Sequence, residues 1–224
     1  MSKISVIIPA LNEANNIIKT MDCLKKASVH EIIVVDGGST DGTVAVVSPY
    51  AKVLKSPKGR AVQMNMGAAA ATGDILVFLH ADSMPTRESF RYLEKTMENS
   101  DIVGGGFKVT FGANSLLFRM IACGSNWRAK LCKIFFGDQV IFVRRKTFFE
   151  IGGYPDIPIM EDWELCRKMK ARGKLVQLPI PVLTSPRRWQ KYGTWKTILL
   201  MHKLKLLYLL GASPQNLKKH YPDN

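Results

Sequence analysis

The runs "ISVIIPA", "EIIVVD" and "DILVFLHAD" are apolar almost without interruption, and none of them alternates. A strand with one wet face has to alternate, so continuous runs mark strands buried on both faces, the condition of a parallel sheet covered by helices. The spacers agree with this. "LNEANNIIKTMDCLKKA" carries Ile17, Ile18, Met21 and Leu24 at helical spacing, "VAVVSPY" reads as the next helix, and "GRAVQMNMGAAAATG" as an Ala-rich helix that Gly73 closes. With "AKVLKS" as a short third strand, strands and helices alternate as far as Asp82, the pattern of an α/β fold.

In such sheets ligands bind in the crevice beyond the carboxyl ends of the strands. Asn12 and Glu13, Asp36 and Asp82 all fall there, with His80 beside Asp82. Each alone can be an Asx turn or a helix N-cap; at three strand ends together they also make a candidate site. Lys58 and Arg60 stand just before the Ala-rich helix, either as a solvated basic loop or as cations that join a helix N-terminus in receiving phosphate.

The second half changes pattern. "TRESFRYLEKTMEN" is a polar amphipathic helix that Pro85 or Thr86 begins, and "DIVGGGFKVTF" a strand with a glycine cluster. "ANSLLFRMIACGSNWRAKLCKIFF" is largely helical, and "GDQVIFVRRKTFFEIGGYP" a strand, a turn and a short helix. In "MEDWEL", Glu161 and Asp162 stand where acids favour the first turn of a helix. No Pro- or Ser-rich linker separates the halves, so a single domain is expected.

The formal charge of +14 predicts attraction to something anionic, and the basic residues gather at "KSPKGR" and from Arg144 onward. Nucleic acid is not the expected partner, because no helix-turn-helix, RRM or C₂H₂ pattern occurs. A nucleotidyltransferase would share strand-end carboxylates and a metal, but it usually opens on a glycine-rich, Arg-containing loop where this chain has "PALNEANN". The four cysteines are scattered, without metal or disulfide spacing. Pro9 ends the first apolar run too early for a signal peptide, so a cytoplasmic protein is expected.

"VIIPALNE", "IIVVDGGSTDGT", "GDILVFLHAD" and "IMEDWELCRK", in this order, resemble the donor half and catalytic motif of family 2 glycosyltransferases. "GRAVQMNMGAAAATGDILVFLHADS", "FGDQVIFVRR" and "GGYPDIPIMEDWEL" are similar to the small subfamily of radical-SAM/selenodomain-associated transferases. The resemblance implies a GT-A fold, a Rossmann-like nucleotide-binding sandwich with a mostly parallel sheet. It implies a domain over residues 1–190, with a donor half to about residue 100 and an acceptor half beyond it. It also implies inverting transfer of a sugar from a UDP- or GDP-sugar to a hydroxyl acceptor, assisted by Mn²⁺ or Mg²⁺.

Carried over residue by residue, the resemblance puts Pro9, Asn12 and Glu13 beside the nucleotide and Asp36 at the base. Lys58 and Arg60 face the phosphates, and Asp82 is the metal carboxylate, with His80 where many relatives have a first Asp. Asp162, beside Glu161, is the general base, and Asp138 of "FGDQ" helps to shape the acceptor pocket. "TSPRRWQ" is similar to the Arg-Trp end of a Q-x-x-R-W motif, with Ser185 in the Gln position. It implies diphosphate contact for Arg187 or Arg188, and either sugar stacking or simple packing for Trp189.

Residues 191–224 are expected to form a basic, amphipathic helical extension. "WKTILLMHKLKLLYLLGASP" is too charged to cross a bilayer. On a helical wheel Lys196, His202, Lys203 and Lys205 share one side, with Ile198, Leu200, Leu204, Leu207 and Tyr208 on much of the rest. Two expectations follow: the apolar face packs on the domain, or it lies peripherally on the inner face of an anionic membrane and serves a lipid-linked acceptor.

Overall fold

A computed structural model describes residues 2–27, 29–112 and 115–221, the side chain of Arg188 excepted. Strand β1 (Ile4–Ala10) leads through helix α1 (Ala14–Lys25) to β2 (Glu31–Asp36), then α2 (Thr43–Val47), β3 (Lys52–Lys55), α3 (Arg60–Ala70) and β4 (Ile75–Phe78). β1 lies between β2 and β4, parallel to both, and β3 extends the parallel set beyond β2. Neighbouring residues of these strands enter opposite cores. Val6, Ile8, Val34 and Val77 pack with Ile17, Met21 and Leu24 of α1; Ile7, Ile33, Val35, Leu76 and Phe78 pack with Ala61, Met64 and Ala68 of α3. Burial on both sides is the reason the runs do not alternate.

The chain continues through β5 (Ser83–Met84), α4 (Arg87–Met97), β6 (Ile102–Phe111) and α5 (Leu116–Cys132) to a single 3₁₀ turn (Gly137–Gln139). Next come β7 (Ile141–Arg144), α6 (Arg145–Glu150), α7 (Glu161–Lys170), β8 (Lys174–Thr184), α8 (Arg187–Tyr192), α9 (Thr194–Leu209) and α10 (Pro214–Lys218). The eight strands make one sheet of order β3-β2-β1-β4-β7-β6-β8-β5. β7 runs antiparallel to both β4 and β6, so the sheet changes direction where the donor half meets the second half.

Local chemistry accounts for several boundaries. Thr86 is the N-cap of α4: its hydroxyl accepts the Ser89 N–H, while the Ser89 hydroxyl accepts the Thr86 N–H. β8 is a strand the sequence does not announce, because Pro179 and Pro181 lack the N–H that a ladder uses. The sheet absorbs them in a register shift, with Leu178 opposite Phe107 and Pro181 opposite Lys108, so that a bulge holds the excess.

Helix α9 lies on the domain through Leu204, which joins Ile159, Met160 and Leu217 in a small core with Leu200, Leu207 and Tyr208 at its edge. The Tyr208 hydroxyl donates to Glu164 of α7 at 2.6 Å. Lys196, His202 and Lys203 stay exposed, as the helical wheel groups them. Lys205 departs from that group: it is half-buried, its Nζ 5.4 Å from the centre of the Phe136 ring.

Two helical glycines test the packing. A Cβ on Gly67 of α3 would collide with Ile7 Cγ2 and stand 3.0 Å from Val35 Cγ2, whereas a Cβ on Gly124 of α5 would meet nothing within 4 Å. Gly67→Ala should cost about 1–2 kcal/mol net, since overpacking of about 1–3 kcal/mol outweighs the better helix propensity of Ala. Gly124→Ala should stabilise by about 0.5–1 kcal/mol. Urea unfolding of the two variants checks the opposite signs.

Candidate active site

Three polar clusters line the carboxyl ends of β1, β2 and β4. The first is built around Asp36, the last residue of β2, which is only 3% exposed. Its carboxylate accepts the N–H groups of Gly38 at 3.1 Å and Ser39 at 3.1 and 3.2 Å, a turn-type arrangement that leaves it forming the wall of a cleft. That cleft, about 490 Å³, is completed by Gly38, Ser39, Val44, Lys55 and Ser56. Asn12, held at φ 55°, ties the loop after β1 to the same rim: its N–H donates to Ser39 Oγ at 2.9 Å and its Oδ1 accepts the Thr40 N–H at 2.8 Å. Pro9 sits one residue inside the end of β1, paired in register with Val35.

The second cluster joins Glu13, Asp82 and Arg187. Two guanidinium nitrogens of Arg187 donate to the two Glu13 oxygens, one at 2.7 Å, and its Nε lies 3.0 Å from Asp82 Oδ2. The Glu13 side chain also accepts from Asn16 Nδ2 at 2.8 Å, and its N–H donates to Thr43 Oγ1 at 2.8 Å. Burial raises the pKa of the Asp82 carboxyl, while Arg187 pulls it down and Glu13 pushes it further up. Burying two carboxylates so close together is tolerable because a guanidinium spans both.

The third cluster lies at the start of α7. Glu161 and Asp162 are 6% and 3% exposed. Arg60, the first residue of α3, reaches Glu161 Oε1 at 3.3 Å and Asp162 Oδ2 at 3.4 Å, and its Nη2 donates to His80 Nε2 at 2.7 Å. Because Arg can only donate, that ring nitrogen is the acceptor. The Gly137 N–H donates to Asp162 Oδ2 at 2.9 Å, and any Cβ on Gly137 would collide with His80 and Arg60. Burial pushes the Asp162 carboxyl up to about 7, with Arg60 opposing and Glu161 adding to the rise.

Among the described residues, four buried polar atoms of this region have no hydrogen-bond partner: Asp162 Oδ1, Asp138 Oδ1, Arg128 Nε and Tyr154 Oη. Orphaned groups in a buried place mark where a water or a ligand atom belongs. Burial raises the Asp138 carboxyl against the pull of Arg128 and Lys205, and burial together with Arg128 lowers the Lys205 ammonium to about 8. Arg128 lies over the Phe136 ring at 4.4 Å and donates to Gln139 Oε1 at 2.8 Å.

The structure therefore gathers Glu161, Asp162, Arg60 and His80, with Asp138 nearby, and separately Glu13, Asp82 and Arg187. Lys58 stays exposed in the loop before α3. The Trp189 ring packs edge-on against Phe111 at 6.2 Å, and the Arg188 side chain lies outside the described residues. Arg128 is an addition that no motif announces, while Tyr154, inside "GGYPDIPIMEDWEL", and Lys205, in the basic extension, are additions to this site from segments already noted for other reasons. Lys205 follows Lys196 by nine residues, about 180° on the wheel, so it stands at the far edge of a basic arc that spans half the helix and turns inward where the others turn out.

The residues present fit a divalent cation only where it takes most of its ligands from outside this chain. Asp82 offers a hard oxygen donor, and the guanidinium now resting on it shows that this spot accepts positive charge. Among the described residues no group of three or more His, Cys, Asp or Glu converges as a protein-only metal site.

Comparisons with known proteins identify the fold and the family. Among solved structures, a mannosyltransferase from Pyrobaculum calidifontis in complex with GDP-Man and Mn²⁺ superposes with a TM-score of 0.71 at 22% identity, over 98% of this chain and 68% of that one. Glucosyl-3-phosphoglycerate synthase from Mycobacterium tuberculosis, with Mn²⁺, UDP and glucosyl-3-phosphoglycerate, gives 0.60 at 22%, over 80% and 70%. The fold is thus GT-A, a single mixed α/β domain with a curled, mostly parallel sheet. The probable glycosyltransferase YdaM of Bacillus subtilis is 29% identical over 88% of this chain, which spans about half (52%) of that relative's length. The family model described as Glycosyl transferase family 2 matches residues 5–154, well over half of the sequence, and on that match the chain belongs to glycosyltransferase family 2.

Proposed function

We propose that this chain transfers a sugar, with inversion, from a UDP- or GDP-sugar to a hydroxyl acceptor, with Asp162 as general base. The observation that carries the reading is the state of Asp162. One oxygen is held by the Gly137 amide and Arg60, and the other is buried with no partner. A carboxylate oriented on one side and open on the other is poised to take a proton, and a pKa near neutrality suits that task.

In the reaction, Asp162 Oδ1 takes the proton of the acceptor hydroxyl as the hydroxyl oxygen attacks the anomeric carbon. The bond from that carbon to the donor phosphate breaks on the opposite face, and its electron pair leaves with the nucleoside diphosphate. Arg60 and Glu161 orient the base. Asp36 and the rim around Asn12 receive the nucleoside, and Arg187 stands where the diphosphate charge has to be met. Asp82 would hold a divalent cation, whose chemistry is to neutralise the departing diphosphate. Asp138, Arg128 and Tyr154 border the acceptor. We further propose a lipid-linked acceptor, reached at the inner face of an anionic membrane from the cytoplasm.

Asp162→Asn should lower turnover by about 10²- to 10⁴-fold and leave donor affinity close to wild type, as steady-state rates beside titration calorimetry would show. Normal turnover in the variant would remove Asp162 from the role. In the wild type, log kcat/KM should rise with pH and level off above about 7, where Asp162 is ionised. The sign for stability is opposite: a carboxyl raised by folding binds its proton more tightly in the native state, so stability falls as pH climbs from the ordinary carboxylate range through about 7. Asp162→Asn should flatten that fall in thermal unfolding.

Asp82→Ala should abolish the part of donor binding that depends on added Mn²⁺, whereas Asp36→Ala should weaken binding with or without it. Calorimetry with UDP- and GDP-sugars separates the two, and equal metal dependence in both variants would overturn the division of roles.

A further inference from the structure

Of the strongly exposed large apolar side chains, Leu116, Met120, Trp127 and Leu131 lie on α5, and Trp195, Leu199, Leu206, Leu209 and Leu210 lie on or next to α9. Both helices use the same spacing. Leu116, Met120, Trp127 and Leu131 fall at i, i+4, i+11 and i+15, as do Trp195, Leu199, Leu206 and Leu210. At about 100° per residue that spacing is one narrow stripe along each helix. The exposed cations Arg119 and Lys130 flank the first stripe, and Lys196 and Lys203 flank the second.

The two helices meet at one side chain. Arg128 of α5 and Lys205 of α9 both lie over the Phe136 ring, at 4.4 and 5.4 Å from its centre. Each is sequence neighbour to a member of its stripe, Trp127 or Leu206. Phe136 directly precedes Gly137, whose amide holds Asp162. Between Glu164 and Asp223 the sequence has no Asp or Glu, and α5 has none either.

We infer that the outer faces of α5 and α9 form one interfacial surface that seats on an anionic bilayer, beside the pocket of the general base. Apolar stripes of this kind enter the boundary between headgroups and acyl chains, while flanking cations meet anionic headgroups. Patches this apolar on a folded surface mark an interaction site, and the absence of carboxylates selects an anionic partner. The inference rests on the lipid-linked reading and deepens it: the α9 face with Leu200, Leu204 and Leu207 packs on the domain, so the membrane contact passes to the outer stripe of α9 and to α5 as an equal contributor.

Flotation of the full chain with phosphatidylcholine vesicles, with and without phosphatidylglycerol, tests it. The wild type should float with anionic vesicles, with a blue shift of Trp127 and Trp195 emission. Trp127→Glu with Leu131→Glu, and separately Leu199→Glu with Leu206→Glu, should each lower vesicle partitioning by on the order of tenfold or more. Lys203→Gln should lower it about fivefold, and only on anionic vesicles. Because these side chains are exposed, the variants should keep the wild-type thermal unfolding.

Failure of the wild type to bind anionic vesicles at low salt overturns the inference. So does unchanged binding of the α5 variant, which would leave α9 acting alone. A concentration-dependent dimer that the α5 variant dissolves, without vesicle binding, would assign these faces to a second copy and also overturn it. Flotation needs neither donor nor acceptor, so its failure leaves the sugar-transfer reading standing, and failure of that reading leaves the flotation result standing.

Discussion

A parallel sheet covered on both faces leaves a charged side chain two places to go, the ends of the strands and the outer surface of the helices. β1, β2 and β4 obey this closely. Their interior positions are filled by Val6, Ile7, Ile8, Ile33, Val34, Val35, Leu76, Val77 and Phe78, all but fully buried. Asn12, Glu13, Asp36, His80 and Asp82 therefore collect at a single rim. The antiparallel β7 then lays the second half of the chain beside β4, which brings Gly137 and the start of α7 to the same rim.

Each acid at that rim is compensated in its own way. Asp36 is satisfied by backbone N–H groups of its own turn, a local solution that needs no other element. Glu13 and Asp82 share one guanidinium from the far end of the chain. Glu161 and Asp162 rely on Arg60 and on one amide, and that compensation is incomplete, because one Asp162 oxygen stays buried and unpaired. An unpaired buried acceptor costs about 1–3 kcal/mol. Such a deficit is retained at a site where a ligand atom completes it.

The donor half was legible because its strands are continuous and its helices periodic, so that Asp36 and Asp82 could be placed at strand ends by counting. β8 was hidden by Pro179 and Pro181, whose missing N–H groups argue against a strand until the bulge opposite β6 is seen. Arg187 carried a motif likeness, but its grip on Glu13 joins residues too far apart for any local pattern to reveal. Arg128 lies in no motif, and Tyr154 stands within one without a role of its own: what brings both beside Asp162 is burial, which only the packed fold defines. The two stripes on α5 and α9 were written in the sequence at identical spacing, yet spacing does not say whether a stripe faces a core or the outside.

The pairing of Glu13 with Arg187 closes a loop of 174 residues. Chain closure over that span carries a large entropic cost, and contacts so distant in sequence form late. Without the segment that carries Arg187, Glu13 and Asp82 would stand side by side without their counter-ion. The acids of one rim thus differ in what they require of the chain: the Asp36 turn closes on its own neighbours, whereas Glu13 and Asp82 are balanced only where the segment carrying Arg187 is docked.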